Sequence, residues 1–261
     1  MKYGFIGCGN MGSAIAKSLC NVTNDMILSD RSGKVVTLAQ QLGCKVGTIQ
    51  LVAKESERIF LAVKPQMLPS VLDELASILR EKKPIIISMA AGIEIRKIEQ
   101  LIGEKLPIIR IMPNTPVLVG CGTILYCCND AVTEEVLTDF IQDMCPCGFL
   151  SNIPEHLIDA ASAVSGCGPA YAYMFIEALS DAAVACGLPR DTALMYASHM
   201  LFGAAKMVIE TGEHPGVLKD AVCSPGGSTI AGVKVLEEEG MRGAVIDCII
   251  AAYHRTQELG K

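Results

Sequence analysis

The stretch Lys2 to Ala16, KYGFIGCGNMGSAIA, constrains this chain more than any other. A short apolar run, Tyr3 to Ile6, leads into Gly7, Gly9 and Gly12, and a helical pattern starts at about Met11, next to Asn10. The spacing is G-x-G-x-x-G at a strand-to-helix junction, where the amides of a helix N-terminus receive a pyrophosphate. In such a turn Gly7 suits the tight backbone, Gly9 lets the main chain approach the phosphates, and Gly12 lets helix and strand pack closely. A second apolar run, Met26-Ile-Leu-Ser, closes on Asp30, at the distance where an acidic residue meets the ribose of a dinucleotide. The plain alternative is a glycine-rich turn without a ligand. It has to account for the preceding strand, the following helix and Asp30 together.

Strand and helix patterns alternate from here to residue 153. Val35–Leu42 reads as a helix closing on Gly43, and Lys45–Gly47 as a short strand. Arg58–Val63 and Pro84–Ser88 are apolar runs suited to strands buried on both faces. Leu106–Met112 and Thr123–Cys127 are further strands, and Phe149–Leu150 a last one. Helices are expected over Val71–Leu79, over Glu94–Ile102, and from Thr133, an N-cap followed by Glu134 and Glu135. This alternation predicts an α/β fold with a Rossmann-like, doubly wound, mostly parallel sheet.

The pattern changes at Ile153-Pro154. Residues 154–164, 169–186, 190–211, 216–222, 228–239 and 241–259 read as helices, with no strand pattern left. The reading is a dinucleotide-binding domain over 1–153 and an all-helical domain over 154–261. Several of these helices are apolar on more than one face, and Ala178, Ala182, Ala183 and Ala185 allow close helix contact. A domain of this length has limited room to bury so many apolar faces. A second copy of the chain is the expected cover, because two-fold dimers are the commonest oligomers. A single compact bundle is the alternative.

Composition narrows the partners. Net charge is -6 and no long basic run occurs, which argues against nucleic acid. No apolar stretch reaches the roughly 18 residues that crossing a membrane requires, so no membrane partner is expected. The chain enters a strand at once, without a leader pattern. Cys20, Cys167, Cys186 and Cys248, among the twelve cysteines, sit in apolar patterns where a thiol acts as a small hydrophobe. Cys127-Cys128 and Cys145-Pro-Cys147 lack the paired spacing and nearby histidines of a zinc site. The expectation is a cytoplasmic protein with free thiols and no metal.

Ligands of open parallel sheets bind beyond the carboxyl ends of the strands. Three such ends carry unusual residues: Ala62-Val63-Lys64-Pro65-Gln66, Ser88-Met-Ala-Ala91-Gly92, and Arg110-Ile-Met-Pro-Asn114-Thr-Pro116. Lys64 is either a solvated strand-end lysine or a ligand of cofactor or substrate. In the helical half, Ser165-Gly-Cys-Gly-Pro-Ala-Tyr171 and Ser224-Pro-Gly226-Gly227-Ser228-Thr229 each precede a helix. Each offers free backbone N–H groups to an anion, and a carboxylate is the natural guest. Ordinary interhelical turns are the plainer reading. His156, His199, His214 and His254 fall on helices or in the 212–216 turn, and no Ser-His-Asp or Cys-His arrangement emerges. What remains is hydride transfer, with a nicotinamide supplying the reactivity and the protein the geometry.

Taken together, GFIGCGNMGSAIA, FLAVKPQ at 60–66, RIMPNTP at 110–116, SGCGPAY at 165–171 and LKDAVCSPGGSTIAGVKVLE at 218–237 resemble the pyrroline-5-carboxylate reductases over nearly the whole chain. The resemblance implies reduction of the C=N bond of 1-pyrroline-5-carboxylate to L-proline by NAD(P)H. It implies that Ser224, Gly226, Gly227, Ser228 and Thr229, with Ser165, hold the substrate, and that Thr229 reaches the ring nitrogen. It places Lys64 and Asn114 beside the nicotinamide and its ribose, with Ala62, Val63, Pro65 and Ala91 along the cofactor. It also implies an interlocked homodimer, which several members of the family assemble into a decamer. Cys167 stands where the family often has Ser, the Ala-Asp pair often found before FLAVKPQ is replaced by Glu55-Ser-Glu-Arg58, and the residues near Gln50 lack the asparagine with which the family usually contacts the cofactor, so no cofactor role is assigned over 49–52.

Two other readings compete. A 3-hydroxyacid dehydrogenase would carry G-x-x-x-N-x-x-K on a helix of its second domain, a pattern missing after Gly166. A non-enzymatic NAD(P) sensor would not need an intact SPGGST turn. For the cofactor itself, Asp30 favours a ribose 2′-hydroxyl and so NADH. Arg31, Ser32 and Lys34 favour a 2′-phosphate and so NADPH, provided Asp30 turns away and pairs with Arg31. The reading leans to NADPH.

Overall fold

The computed structural model describes residues 2–259. In chain order it runs β1 (Tyr3–Ile6), α1 (Asn10–Leu19), β2 (Met26–Ser29), α2 (Lys34–Leu42), β3 (Lys45–Val46), α3 (Ile49–Glu55), β4 (Arg58–Leu61), α4 (Leu68–Lys82), β5 (Ile85–Ser88), α5 (Ile95–Ile102), β6 (Ile108–Met112), β7 (Gly122–Cys128), α6 (Glu134–Met144) and β8 (Gly148–Asn152). The helical part follows as α7 (Ile158–Ser165), α8 (Gly168–Ala185), α9 (Arg190–Thr211), α10 (Pro215–Val222), α11 (Ser228–Glu238) and α12 (Met241–Leu259).

The strands form one eight-stranded sheet in the order β3-β2-β1-β4-β5-β6-β7-β8. Every pairing is parallel except β6 with β7. Reversal of strand order on either side of β1 is the hallmark of a doubly wound sheet, and the central strands are buried throughout. Alternate residues serve the two faces. Ile6, Ile59, Leu61 and Ile86 join α4 and α5 in one core, while Phe5, Phe60, Ile87 and Ile109 join α1, α2 and α6 in the other. Phe5 and Phe60 sit opposite each other in register, their rings stacked at 4.5 Å.

The amino ends of β1 and β4 are anchored by charge. Tyr3 Oη donates to Asp143 Oδ2 at 2.5 Å, Lys2 Nζ pairs with Asp143 at 2.8 Å, and Arg58 pairs with Asp139 at 2.9 Å. These bonds tie α6 to the end of the sheet opposite the glycine turn.

Some expectations shift. Residues 49–55, to which the sequence reading assigns no element, form α3, capped by the Thr48 side chain accepting from Leu51 N at 3.2 Å. The helix expected from 154 starts at Ile158, after a single tight turn over Glu155–Leu157. By length and composition alone, α9 is long and apolar enough to cross a membrane, with mean hydropathy 1.2, although His199 and Lys206 interrupt its apolar runs.

Residues up to Cys167, with those from Ala252 onward, make one compact unit, and Gly168–Ala251 make another. α7 therefore groups with the sheet, and its Ile158 is fully buried in the α4–α5 core. In the second unit α8 and α9 pack side by side, yet Tyr173, Met174, Phe202 and Ile209 are exposed.

Candidate functional site

The glycine turn has the geometry its spacing predicts. Gly7 has φ +98°, in the left-handed region, and a Cβ there would meet the Ala62 carbonyl at 2.7 Å. A Cβ on Gly12 would lie 2.3 Å from the Gly7 oxygen. A Cβ on Gly9 would meet nothing within 4 Å. Space is therefore left open at the one glycine where a ligand's phosphates approach, above the unpaired first-turn amides of α1.

Two cavities meet at this turn, both bordered by Gly9 and Asp30. One, of about 380 Å³, also has Gly7, Arg31, Ile49, Ala62, Val63, Lys64, Met67, Val71 and Glu74 on its walls. The other, of about 800 Å³, is lined by Asn10, Met11, Ser13, Lys17, Ser32, Lys34 and Thr115 among others. Both fall in the size range of small-molecule sites. Open space at Gly9, helix amides and neighbouring Lys17, Arg31 and Lys34 fit a dinucleotide.

Asp30 is placed differently from either sequence alternative. Its Oδ2 accepts from Cys8 N at 2.6 Å and its Oδ1 from Ser32 N at 2.7 Å. The carboxylate thus bridges the glycine turn to the β2–α2 loop rather than pairing with Arg31. Arg31 borders the smaller cavity and Ser32 and Lys34 the larger one, so the three expected phosphate ligands flank Asp30 on two sides. Burial, then the Asp30 charge, push the Cys8 thiol up to about 12.

Asn114 is buried, 7% exposed, and is committed to the backbone. Its Nδ2 donates to the Ser165 carbonyl at 2.9 Å, and its Oδ1 accepts from Thr123 N at 2.8 Å. Neither cavity counts it among its walls, though Thr115 beside it borders the larger one. Ser165 Oγ donates back to the Ala161 carbonyl at 3.1 Å. Arg110, which the sequence placed at a strand end, is 1% exposed. It donates to Glu155 Oε1 at 3.1 Å and Asp159 Oδ1 at 3.0 Å, while Glu155 also accepts from Ile95 N at 2.8 Å. This buried pairing fastens α7 and its preceding turn to β6. Pro65 opens a tight turn after β4, and Ala91 follows β5, half-buried against the α4–α5 core.

In the second unit the Ser224–Thr229 turn leads into α11. Its N-cap is Gly227, extended at φ −76° and ψ 169°, with no side chain capping the helix. Gly226 takes φ +70°. Ser228 and Thr229 occupy the first turn and are exposed. Thr229 is therefore not the helix cap. Sequence reasoning missed Ile49, Met67, Ser70, Val71 and Glu74 on the smaller cavity; the one local signal was Thr48, a helix-capping residue.

A doubly wound sheet, a G-x-G-x-x-G turn opening on two cavities, and a separate helical unit define a dinucleotide-binding protein of the two-domain kind. Family models divide the chain in the same sense: "NADP oxidoreductase coenzyme F420-dependent" matches residues 2–92, and "Pyrroline-5-carboxylate reductase dimerisation" matches 155–259. The pyrroline-5-carboxylate reductase of Escherichia coli (strain K12) is 42% identical over 268 residues, spanning 100% of this chain and 98% of that one. That of Arabidopsis thaliana is 39% identical over 268 residues, spanning 100% and 96%. The crystal structure of the Plasmodium falciparum pyrroline carboxylate reductase with NADP bound matches with TM-score 0.91 at 33% identity, covering 100% of this chain and 98% of that one. The chain belongs to the pyrroline-5-carboxylate reductase family of oxidoreductases, which take a nicotinamide cofactor.

Proposed function

We propose that the chain reduces 1-pyrroline-5-carboxylate to L-proline, the last step of proline synthesis, with NADPH favoured over NADH. The observation that carries this reading is the intact Ser224–Thr229 turn, closed by Gly227 N donating to the Ser224 carbonyl at 3.0 Å, which leads into α11 behind a glycine cap with no side chain on the first-turn amides. Those amides suit the substrate carboxylate. The Thr229 hydroxyl suits the ring nitrogen, which it orients for attack and helps to protonate. When bound, the reduced nicotinamide supplies the hydride that goes to the carbon of the C=N bond. Gly7 to Gly12, Ala62 to Pro65 and Ala91 hold the cofactor, and Lys64 lies on the wall of the smaller cavity.

The NADPH preference rests on Asp30, whose two oxygens already hold Cys8 N and Ser32 N, and on Arg31 and Lys34 beside it. Exposed apolar residues on α8 and α9 support a homodimer, with five dimers in a decamer as the larger form. Twelve free cysteines support a cytoplasmic setting.

The test is steady-state turnover of pyrroline-5-carboxylate with each cofactor, alongside sedimentation at assay concentration. Turnover with a lower KM for NADPH, by a species larger than one chain, is the expected result. Arg31→Ala is expected to raise the NADPH KM more than the NADH KM. No turnover overturns the reaction, an active monomer overturns the assembly, and an unchanged NADPH KM overturns the preference.

A further inference from the structure

The smaller cavity joins two kinds of wall. It is bordered by the glycine turn and Asp30, where the pyrophosphate and ribose of a dinucleotide belong. It is also bordered by the aliphatic side chains of Ile49, Met67 and Val71 and by Glu74 of α4. Apolar side chains in the same cavity as the ribose position suit the faces of a flat base. Glu74 does not stand alone: Gln50 of α3 donates its side-chain amide to Glu74 Oε1. The amide holds the carboxylate across 24 residues of chain. An ionised carboxylate accepts at about four lone-pair positions, so this one keeps acceptor capacity to spare.

We propose that Gln50 and Glu74 form a base-recognition element, in which Glu74 accepts from the exocyclic amino group of the cofactor's adenine. Adenine carries an N–H donor at that position, and hypoxanthine carries a carbonyl acceptor in its place. A carboxylate facing a carbonyl oxygen has no proton to share, whereas a carboxylate facing an amino group makes a charge-assisted hydrogen bond. Glu74 thereby determines base specificity, and Gln50 is a positioning residue that acts through it. The inference rests on the reading that this chain takes NAD(P)H, and it deepens that reading at the base end.

The experiment compares NADPH with its hypoxanthine analogue, in which oxygen replaces the amino group. Binding of each is followed by the fluorescence of the reduced nicotinamide, for the unaltered chain, Glu74→Gln, Glu74→Ala and Gln50→Ala. The unaltered chain is expected to bind the analogue roughly tenfold or more weakly, because sites built to hydrogen-bond a substrate group reject the analogue lacking it. Glu74→Gln, which can donate as well as accept, is expected to bring the ratio close to one. Glu74→Ala is expected to narrow it by weakening NADPH binding, and Gln50→Ala to fall in between. Equal affinity for the two cofactors in the unaltered chain overturns the proposal, as does a Glu74→Gln variant that keeps the full ratio. Loss of pyrroline-5-carboxylate turnover in the unaltered chain, with the cofactor ratio intact, overturns the functional reading instead.

Discussion

The side-chain amide of Asn114 and the backbone carbonyl of Ser165 lie 2.9 Å apart and join the end of β6 to the end of α7. Since the Asn114 oxygen also receives Thr123 N, one buried residue fixes three segments. Asn114→Ala leaves two buried backbone groups unpaired, at about 1–3 kcal/mol each, and is expected to lower Tm by roughly 5 °C or more. Because Ser165 opens the polar turn before α8, the KM for pyrroline-5-carboxylate should rise more than the KM for the cofactor. If both Tm and the two KM values stay put, the amide is not what holds these segments together.

Gly9 and Gly12 separate folding from binding. Gly12→Ala drives a methyl group to 2.3 Å from the Gly7 oxygen, and thermal melting should show a chain that is strongly destabilised or unfolded. Gly9→Ala meets nothing within 4 Å and should melt as the parent does. It should nevertheless bind NADPH roughly tenfold or more weakly, since overpacking a phosphate approach costs about 1–3 kcal/mol. Normal NADPH affinity in Gly9→Ala would remove the glycine turn from the cofactor site.

Thr229 stands in the first turn of α11 behind a glycine cap, so its removal should leave the melting temperature nearly unchanged. Orientation and proton-transfer assistance commonly contribute about 10²–10⁴-fold, and partial replacement by an already protonated imine puts this case at the low end. Thr229→Ala and Thr229→Val should each lower kcat/KM for pyrroline-5-carboxylate by roughly tenfold or more, while Thr229→Ser keeps most of it. Unaltered turnover in Thr229→Val would leave the hydroxyl without a role.

Alkaline pH should weaken the fold early. Burial first of all pushes the Cys8 and Cys127 thiols from 9.0 up to about 12, and raises Tyr3 above its ordinary 10.0. Unfolded, these groups give up protons from about pH 9, whereas the folded chain retains them. The folded state then binds more protons, so stability falls as pH rises from about 9 toward about 12, and the contribution is fully present below that window. Urea midpoints measured from about pH 8 to about pH 11 should decline, and Cys8→Ala should flatten part of the slope. A flat profile in the parent would contradict the burial argument.

The glycine turn, the strands up to β6 and the helices after Gly168 were legible because each carries its own local chemistry. The turn has glycines at positions where a Cβ collides, and the helices have Pro189, Gly187 and Gly212 as punctuation. α3 was not legible: seven residues, IQLVAKE, are too few to establish a helical period. With α3 unseen, Ile49 and Gln50 had no place beside the cofactor cavity. Nor could Arg110 announce its partners, which lie 45 and 49 residues further along. Asn114 shows the limit of motif transfer. PNTP stands out in the sequence, but a motif does not say whether its amide faces a ligand or the backbone of its own fold.

Cys8 sits inside the turn expected to cradle phosphates, with its thiol held at about 12. At neutral pH an ordinary thiol is ionised in about one molecule in a hundred, and this one far more rarely. Thiolates, not thiols, attack electrophiles and peroxides. Alkylating or oxidising reagents therefore consume exposed thiols such as Cys121 and Cys145 long before they touch Cys8. A protein with twelve cysteines thus keeps the thiol of its glycine turn the slower to react, while its exposed thiols take the first damage.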